Sequence, residues 1–399
     1  CALPICTWAM YDPYYNYVTL NLHGNGANTA QNNTFLDSSL TNNTITRNGN
    51  TTQGAFSPYR SYWGAYTTGA TYFSLAQNAN YDLVSTDFTI EFWFNPLAFN
   101  TMTYSGSNIG GNALNSGSSQ GWFIGFDGSG TTVTSIYYQV YVGGWSNNTF
   151  TVSIPLGTWA HVAFVRSGSG AGNMKCYVNG LQQGAAQNQV TYSTSGGAVT
   201  FGSGAYQQNP TYSGNATYYI SNFRLSKSAV YTSNFTPSAT PLTTSTSPVM
   251  LVFNSNRLTN AGSVGGDVTS SSAASSLIST FSPFLPNLAY ETSRLGGSGY
   301  FDGSDYLYNA ANNIIPSTGD FTLEMWIYPT QVTTLQYIFC TGSGGTTPLL
   351  VYINTSSYVG VQTGGSYRDA STTKVVANAW NYIAVTRTGT TYAIYVNAV

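Results

Sequence analysis

The chain has almost no charge. Asp, Glu, Lys and Arg together make up 6% of its 399 residues, and the formal net charge is −2. A balance this small removes the long-range attraction on which nucleic-acid binding depends. It also removes the polybasic contact that holds proteins to anionic membranes. No run approaches the roughly 20 apolar residues that cross a bilayer as a helix. The stretch from Ala2 to Tyr11 is shorter and lacks the basic start of a signal peptide. Helical periodicity is nearly absent, and 42 glycines argue against long helices. His23 and His161 are the only histidines, no motif names the partners that Ser–His–Asp or zinc chemistry would need, and both are expected to be incidental. Four cysteines do not staple a chain of this length. Cys1 and Cys6 could pair with each other. Cys176 alternates in phase with Met174 and Val178, and Cys340 with Ile338, so both are expected to be core thiols.

Aromatic residues are plentiful at 15%, with 32 tyrosines, and hydrophobic residues reach 42%. That is enough apolar surface to build a core. Solubility must come from hydroxyls and amides, which suits an extracellular or particle-borne protein. One strand pattern occurs twice. Asp87-Phe88-Thr89-Ile90-Glu91-Phe92-Trp93 is answered by Asp320-Phe321-Thr322-Leu323-Glu324-Met325-Trp326. Both alternate with period two, as a strand with one face in a core must. Trp159-Ala160-His161-Val162-Ala163 likewise matches Trp380-Asn381-Tyr382-Ile383-Ala384, and Tyr177-Val178-Asn179-Gly180 matches Tyr395-Val396-Asn397-Ala398. Short strands between Gly/Ser/Asn clusters predict an all-β sandwich or jelly roll, present in two copies. Residues 1–16 read as an aromatic lead-in, 17–236 as the first domain, 237–248 as a Pro/Thr/Ser-rich linker and 249–399 as the second domain. The second copy is expected to need strands beyond Val399.

These repeats resemble the concanavalin A-like, laminin-G-like jelly-roll superfamily. Ile220-Ser221-Asn222-Phe223-Arg224-Leu225, the segment from Ala229 to Pro237, and Asp12-Pro13-Tyr14-Tyr15 narrow the likeness to laminin-G-like structural proteins of aquatic, especially cyanobacterial, phages. The resemblance implies two packed antiparallel sheets per domain, displayed outside a particle. It implies noncatalytic binding of glycans or a host cell surface. A purely architectural fibre or cement protein is the alternative, and a glycoside hydrolase a third reading. Contacts with other virion subunits, homo-oligomerisation and a location on the virion surface follow from the same likeness.

The hydrolase reading requires two carboxylates about 5–5.5 Å apart across one sugar bond for a retaining enzyme. Glu91 and Glu324 each stand alone, flanked two residues away by Thr and Trp, so no catalytic residue is assigned. Arg166 and Arg387 recur as regularly as the two glutamates. Glu91–Arg166 and Glu324–Arg387 are therefore expected to form structural ion pairs across neighbouring strands. No cofactor or metal is expected. A structural Ca²⁺ is compatible with the resemblance, although Asp302-Gly303-Ser304-Asp305 has the form of a tight turn first. Tyrosine mixed with Ser, Gly and Asn is the composition of adaptable binding loops. The candidate ligand-stacking residues are Tyr59, Tyr62, Trp63, Tyr137, Tyr138, Tyr141 and Trp145.

Overall fold

The computed structural model describes residues 14–23, 34–49, 51–54, 62–67, 72–99, 107–113, 121–141, 145–189, 191, 196–202, 216–270, 276–280, 282–284, 297–309, 314–316, 318–342 and 349–399. Strands dominate, and among these residues the only helical pieces are short 3-10 turns. None is long and apolar enough to cross a membrane. The chain divides into two compact units. One comprises residues 62–285 with 377–379, and the other residues 1–61, 286–376 and 380–399.

The first unit is a sandwich of two antiparallel sheets. One sheet is centred on the strand Phe88–Ala98. Ala160–Arg166 lies on one side of it and Thr217–Ser226 on the other. Met174–Val178 continues beyond the first neighbour. Gly64–Thr67 and Met250–Val252 both pair with the second. The facing sheet runs through Tyr72–Leu75, Val199–Gly202, Ser107–Gly111, Trp122–Ser129, Thr132–Tyr141 and Trp145–Pro155. Period-two alternation sends Phe88, Ile90, Phe92 and Phe94 into the space between the sheets, where all are fully buried. There Phe92 stacks on Phe223, and Phe94 meets Phe126 edge-on. Cys176 is fully buried, as expected, and burial pushes its thiol up.

The second unit repeats the design. Phe321–Ile327, Asn381–Thr388 and Thr391–Val396 form one sheet, and Gln336–Cys340, Leu350–Ile353, Tyr358–Thr363 and Ser366–Lys374 the other. Register repeats with sequence: Glu91 lies opposite Ala163 and Glu324 opposite Ala384. So do the turn devices. The backbone N–H of Gly168 donates to Asp87, and that of Gly389 to Asp320. Asn179 and Asn397 both adopt positive φ and accept from the backbone N–H of His161 and Tyr382.

The strands do not divide where the repeats suggested. Met250–Val252, expected to open the second domain, pairs with Thr217–Ser226 in the first sandwich. The expected linker is held to that sheet. Leu242 N–H donates to Asn222, and Arg224 Nη1 donates to the Thr243 carbonyl at 3.1 Å. Cys340 differs from expectation too. It is exposed, its Sγ lying 3.1 Å from the Gly342 carbonyl, because that strand buries few of its residues.

Candidate functional site

The face of the Phe88–Ala98 sheet turned away from the core carries Thr89, Glu91, Trp93 and Asn95. Register places these side chains in rows that run across the strands. One row holds Ala163, Glu91 and Arg224, a second His161, Trp93 and Ser221. A third holds Asn95 opposite Tyr219, with Tyr66 beyond it and Trp159 on the other flank.

The first row is closed by its own contacts. Glu91 is fully buried. One oxygen accepts from Arg224 Nη2 at 2.6 Å and Nε at 2.9 Å. The other accepts from the Tyr231 hydroxyl at 2.8 Å and lies 3.2 Å from His161 Nε2. A carboxylate only accepts, so Nε2 carries the imidazole hydrogen here. Burial works against the charge on Glu91. The His161 and Arg224 interactions outweigh it and hold the carboxyl below its ordinary range. Burial, and next the Glu91 charge, push the Tyr231 phenol up.

Residues 228–235 lie over this row as a strap. Thr89 Oγ1 donates to the Ser228 carbonyl and accepts from Val230 N–H, each at 2.8 Å. Tyr231 stacks on Phe235 with ring centroids 3.6 Å apart, and both pack on Ala163, Val165 and Tyr177.

The expected Glu91–Arg166 pair is therefore corrected to Glu91–Arg224. Arg166 is opposite Phe88 and so takes the other face of the sheet from Glu91. Its guanidinium donates to the carbonyls of Ser85 at 2.7 Å and Thr86 at 2.9 Å, with Asp87 at 3.8 Å. Arg387 repeats this, donating to the carbonyls of Gly319 and Pro316. Its expected partner Glu324 is exposed and accepts from the Tyr382 hydroxyl instead. Both arginines tie down the turn that precedes the repeated strand.

The expected stacking residues do not form one platform. Trp63, Tyr137 and Tyr138 are buried, Tyr138 fully, because alternation turns it toward Phe88 in the core. Tyr62 is half-buried beside Phe284. Tyr141 and Trp145 oppose each other at a hairpin end, their side chains outside the described residues, as is Tyr59 altogether. Asp302 forms the tight turn that its sequence suggested, accepting from Ser304 N–H at 2.9 Å. Among the described residues no three His, Cys, Asp or Glu side chains converge as a metal site would require.

The third row was missed. Tyr219 stands on one strand that flanks Phe88–Ala98 and Trp159 immediately precedes the other, hence the two are about 9–10 Å apart at the backbone. Their ring centroids are 6.4 Å apart, so the rings lean over the middle strand. Asn95, which lies between them in the register, is fully buried, and neither its amide oxygen nor its nitrogen has a hydrogen-bond partner. The neighbouring Trp93 Nε1 is buried and unpartnered as well. Tyr66 continues the row at 4.8 Å from Tyr219. The signal available in sequence was the second copy, where Tyr328 stands for Asn95 and meets Trp380 directly, with centroids 5.6 Å apart.

Residues 67–234 and 301–399 match a family model described as the concanavalin A-like lectin/glucanases superfamily. No curated protein matches in sequence. Among solved structures, a putative carbohydrate-binding protein from Bacteroides ovatus is similar at 14% identity, with 57% of this chain and 62% of that one covered and a TM-score of 0.34. A heptameric SAP-like pentraxin from Limulus polyphemus gives 18%, 43%, 78% and 0.32 in the same order. The binding domain of botulinum neurotoxin serotype D gives 13%, 51%, 47% and 0.29, so the chain spans less than half of that structure.

Proposed function

The chain belongs to the concanavalin A-like lectin/glucanases superfamily, and from that premise we propose that it is a noncatalytic surface protein of a phage particle that binds glycans. The observation that carries the binding reading is a solvent-facing tyrosine ribbon in the second unit. Tyr306–Tyr308 pairs with Thr46–Asn48, and alternation places Tyr306 and Tyr308 on one face, 54% and 51% exposed. Asn48 lies opposite Tyr306 and donates its amide to the phenol at 2.9 Å. Two rings about 7 Å apart beside an amide suit the stacking of a sugar while its hydroxyls are hydrogen-bonded. The absence of a catalytic assignment rests on Glu91, whose two oxygens are both engaged by donors under a strap. The virion location rests on the resemblance of the strand blocks to phage fibre proteins and on the charge-poor composition.

A glycan array probed with the full chain is expected to give discrete positives that weaken about tenfold or more in Tyr306→Ala/Tyr308→Ala, taking for each sugar–ring contact the low end of the about 1–3 kcal/mol that a base gains by stacking on an aromatic ring. An array without positives, together with a sedimentation mass that falls to the monomer in the same double variant, would replace adhesion by an architectural role for these rings.

A further inference from the structure

The row of Trp159, Asn95, Tyr219 and Tyr66 includes a fully buried side-chain amide that is unmet at both its oxygen and its nitrogen. Buried amides in folded proteins are hydrogen-bonded almost without exception, because an unmet donor or acceptor carries its full desolvation cost. Asn95 leaves both ends of its amide unmet at zero exposure, and Trp93 two residues along the same face leaves its indole N–H unmet. The repeat does not demand this arrangement. At the equivalent position of the second copy Tyr328 fills the space beside Trp380 with its own ring.

Trp159 and Tyr219 are each half-buried, and their planes are tilted by 49°. Rotation of these two rings is the motion that would expose the amide to a group entering between them. No charged side chain belongs to the row. The nearest acidic position along Phe88–Ala98 is Glu91, already closed by Arg224, His161 and Tyr231.

We propose that Asn95, with Trp93, Trp159 and Tyr219, forms a subsite for an uncharged pyranose, separate from the Tyr306–Tyr308 ribbon. A pair of adjacent sugar hydroxyls matches the amide: one hydroxyl donates to Oδ1 and the other accepts from Nδ2. The Trp93 indole N–H donates to a further oxygen, and the sugar's C–H face lies on Trp159 or Tyr219. The proposal rests on the glycan-binding reading and adds to it a location and a preference for neutral over anionic sugars.

The test is saturation-transfer NMR and calorimetric titration of the full chain with cellotriose, mannotriose and chitotriose, with sialyllactose as the anionic comparison. Asn95→Leu is the decisive variant, because it keeps the side-chain volume and removes the unmet polar atoms. It is expected to raise the melting temperature while weakening neutral-sugar binding about tenfold or more. Trp159→Ala is expected to weaken binding at this site as well. A lower melting temperature for Asn95→Leu would overturn the proposal by showing that the amide is already partnered. Binding lost in Tyr306→Ala/Tyr308→Ala but retained in Asn95→Leu and Trp159→Ala would overturn it while leaving the glycan reading standing. Failure of every sugar to bind any form would overturn both. Tighter binding of sialyllactose would overturn the neutral preference.

Discussion

At the scale of the residue, Glu91 decides what this sheet face does. A buried carboxylate is tolerated only when paired and hydrogen-bonded, and Glu91 has Arg224, His161 and Tyr231 for that purpose. Removing one partner of such a pair strands the other, which typically costs about 3–5 kcal/mol. Glu91→Gln is therefore expected to lower the urea midpoint strongly, whereas Glu91→Leu with Arg224→Met should recover much of the loss. Equal losses in the two would mean that the pair is not what holds the site. The pH dependence follows from the lowered carboxyl of Glu91. A group more acidic in the native state than unfolded adds stability above its unfolded pKa and loses it as pH falls through the native value. Denaturant midpoints are thus expected to fall progressively once pH passes below the ordinary value of 4.5, and Glu91→Gln should flatten that acid limb. The pairing with Arg224 was not legible in the sequence. Glu91 and Arg166 both recur in the repeats and so invited each other, yet pleat parity puts them on opposite faces. Arg224 reaches Glu91 only after a register shift between Ser221 and Arg224, and no sequence rule places that bulge.

At the scale of the element, the strap over residues 163–180 depends on one close approach. Gly180 holds φ +78, and a methyl built on it would sit 1.8 Å from the Phe235 carbonyl oxygen. Its counterpart Ala398 carries a methyl at φ +71, so the left-handed backbone alone is bearable at about 1–2 kcal/mol. The collision with Phe235 makes the difference. Gly180→Ala is expected to lift residues 228–235, cut the Tyr231 bond to Glu91 and raise the rate of limited proteolysis within the strap. An unchanged cleavage pattern would show that the strap does not rest on Gly180. The strands under the strap were readable from alternation, because their inward residues are nearly all large and apolar. The strap itself was recognised only as a block of family likeness. Its role depends on pairing across 140 residues of chain, as in the Tyr231–Glu91 bond, and such contacts leave no periodic trace. The aromatic row was unreadable for a related reason: Asn95, Trp159 and Tyr219 become neighbours only when three strands align.

At the scale of the whole molecule, 6% charged residues and a net charge of −2 mean that the glycan recognition proposed above would act at short range. Near-neutral proteins risk association with themselves; here hydroxyls and amides keep the surface wet while aromatic rings remain available for contact. Electrostatic adhesion weakens steeply with salt, because the screening length shrinks from about 10 Å at 0.1 M to about 3 Å at 1 M. Stacking and amide hydrogen bonds to uncharged sugars have no comparable dependence. The affinity of the full chain for a neutral oligosaccharide is therefore expected to change by less than roughly twofold between 0.1 M and 1 M sodium chloride, within the screening range just given. Calorimetric titration at the two concentrations checks this. A loss of tenfold or more at high salt would mean that the few charges of this chain, rather than its tyrosines and amides, make the contact, and both the ribbon and the Asn95 row would then be the wrong places to look.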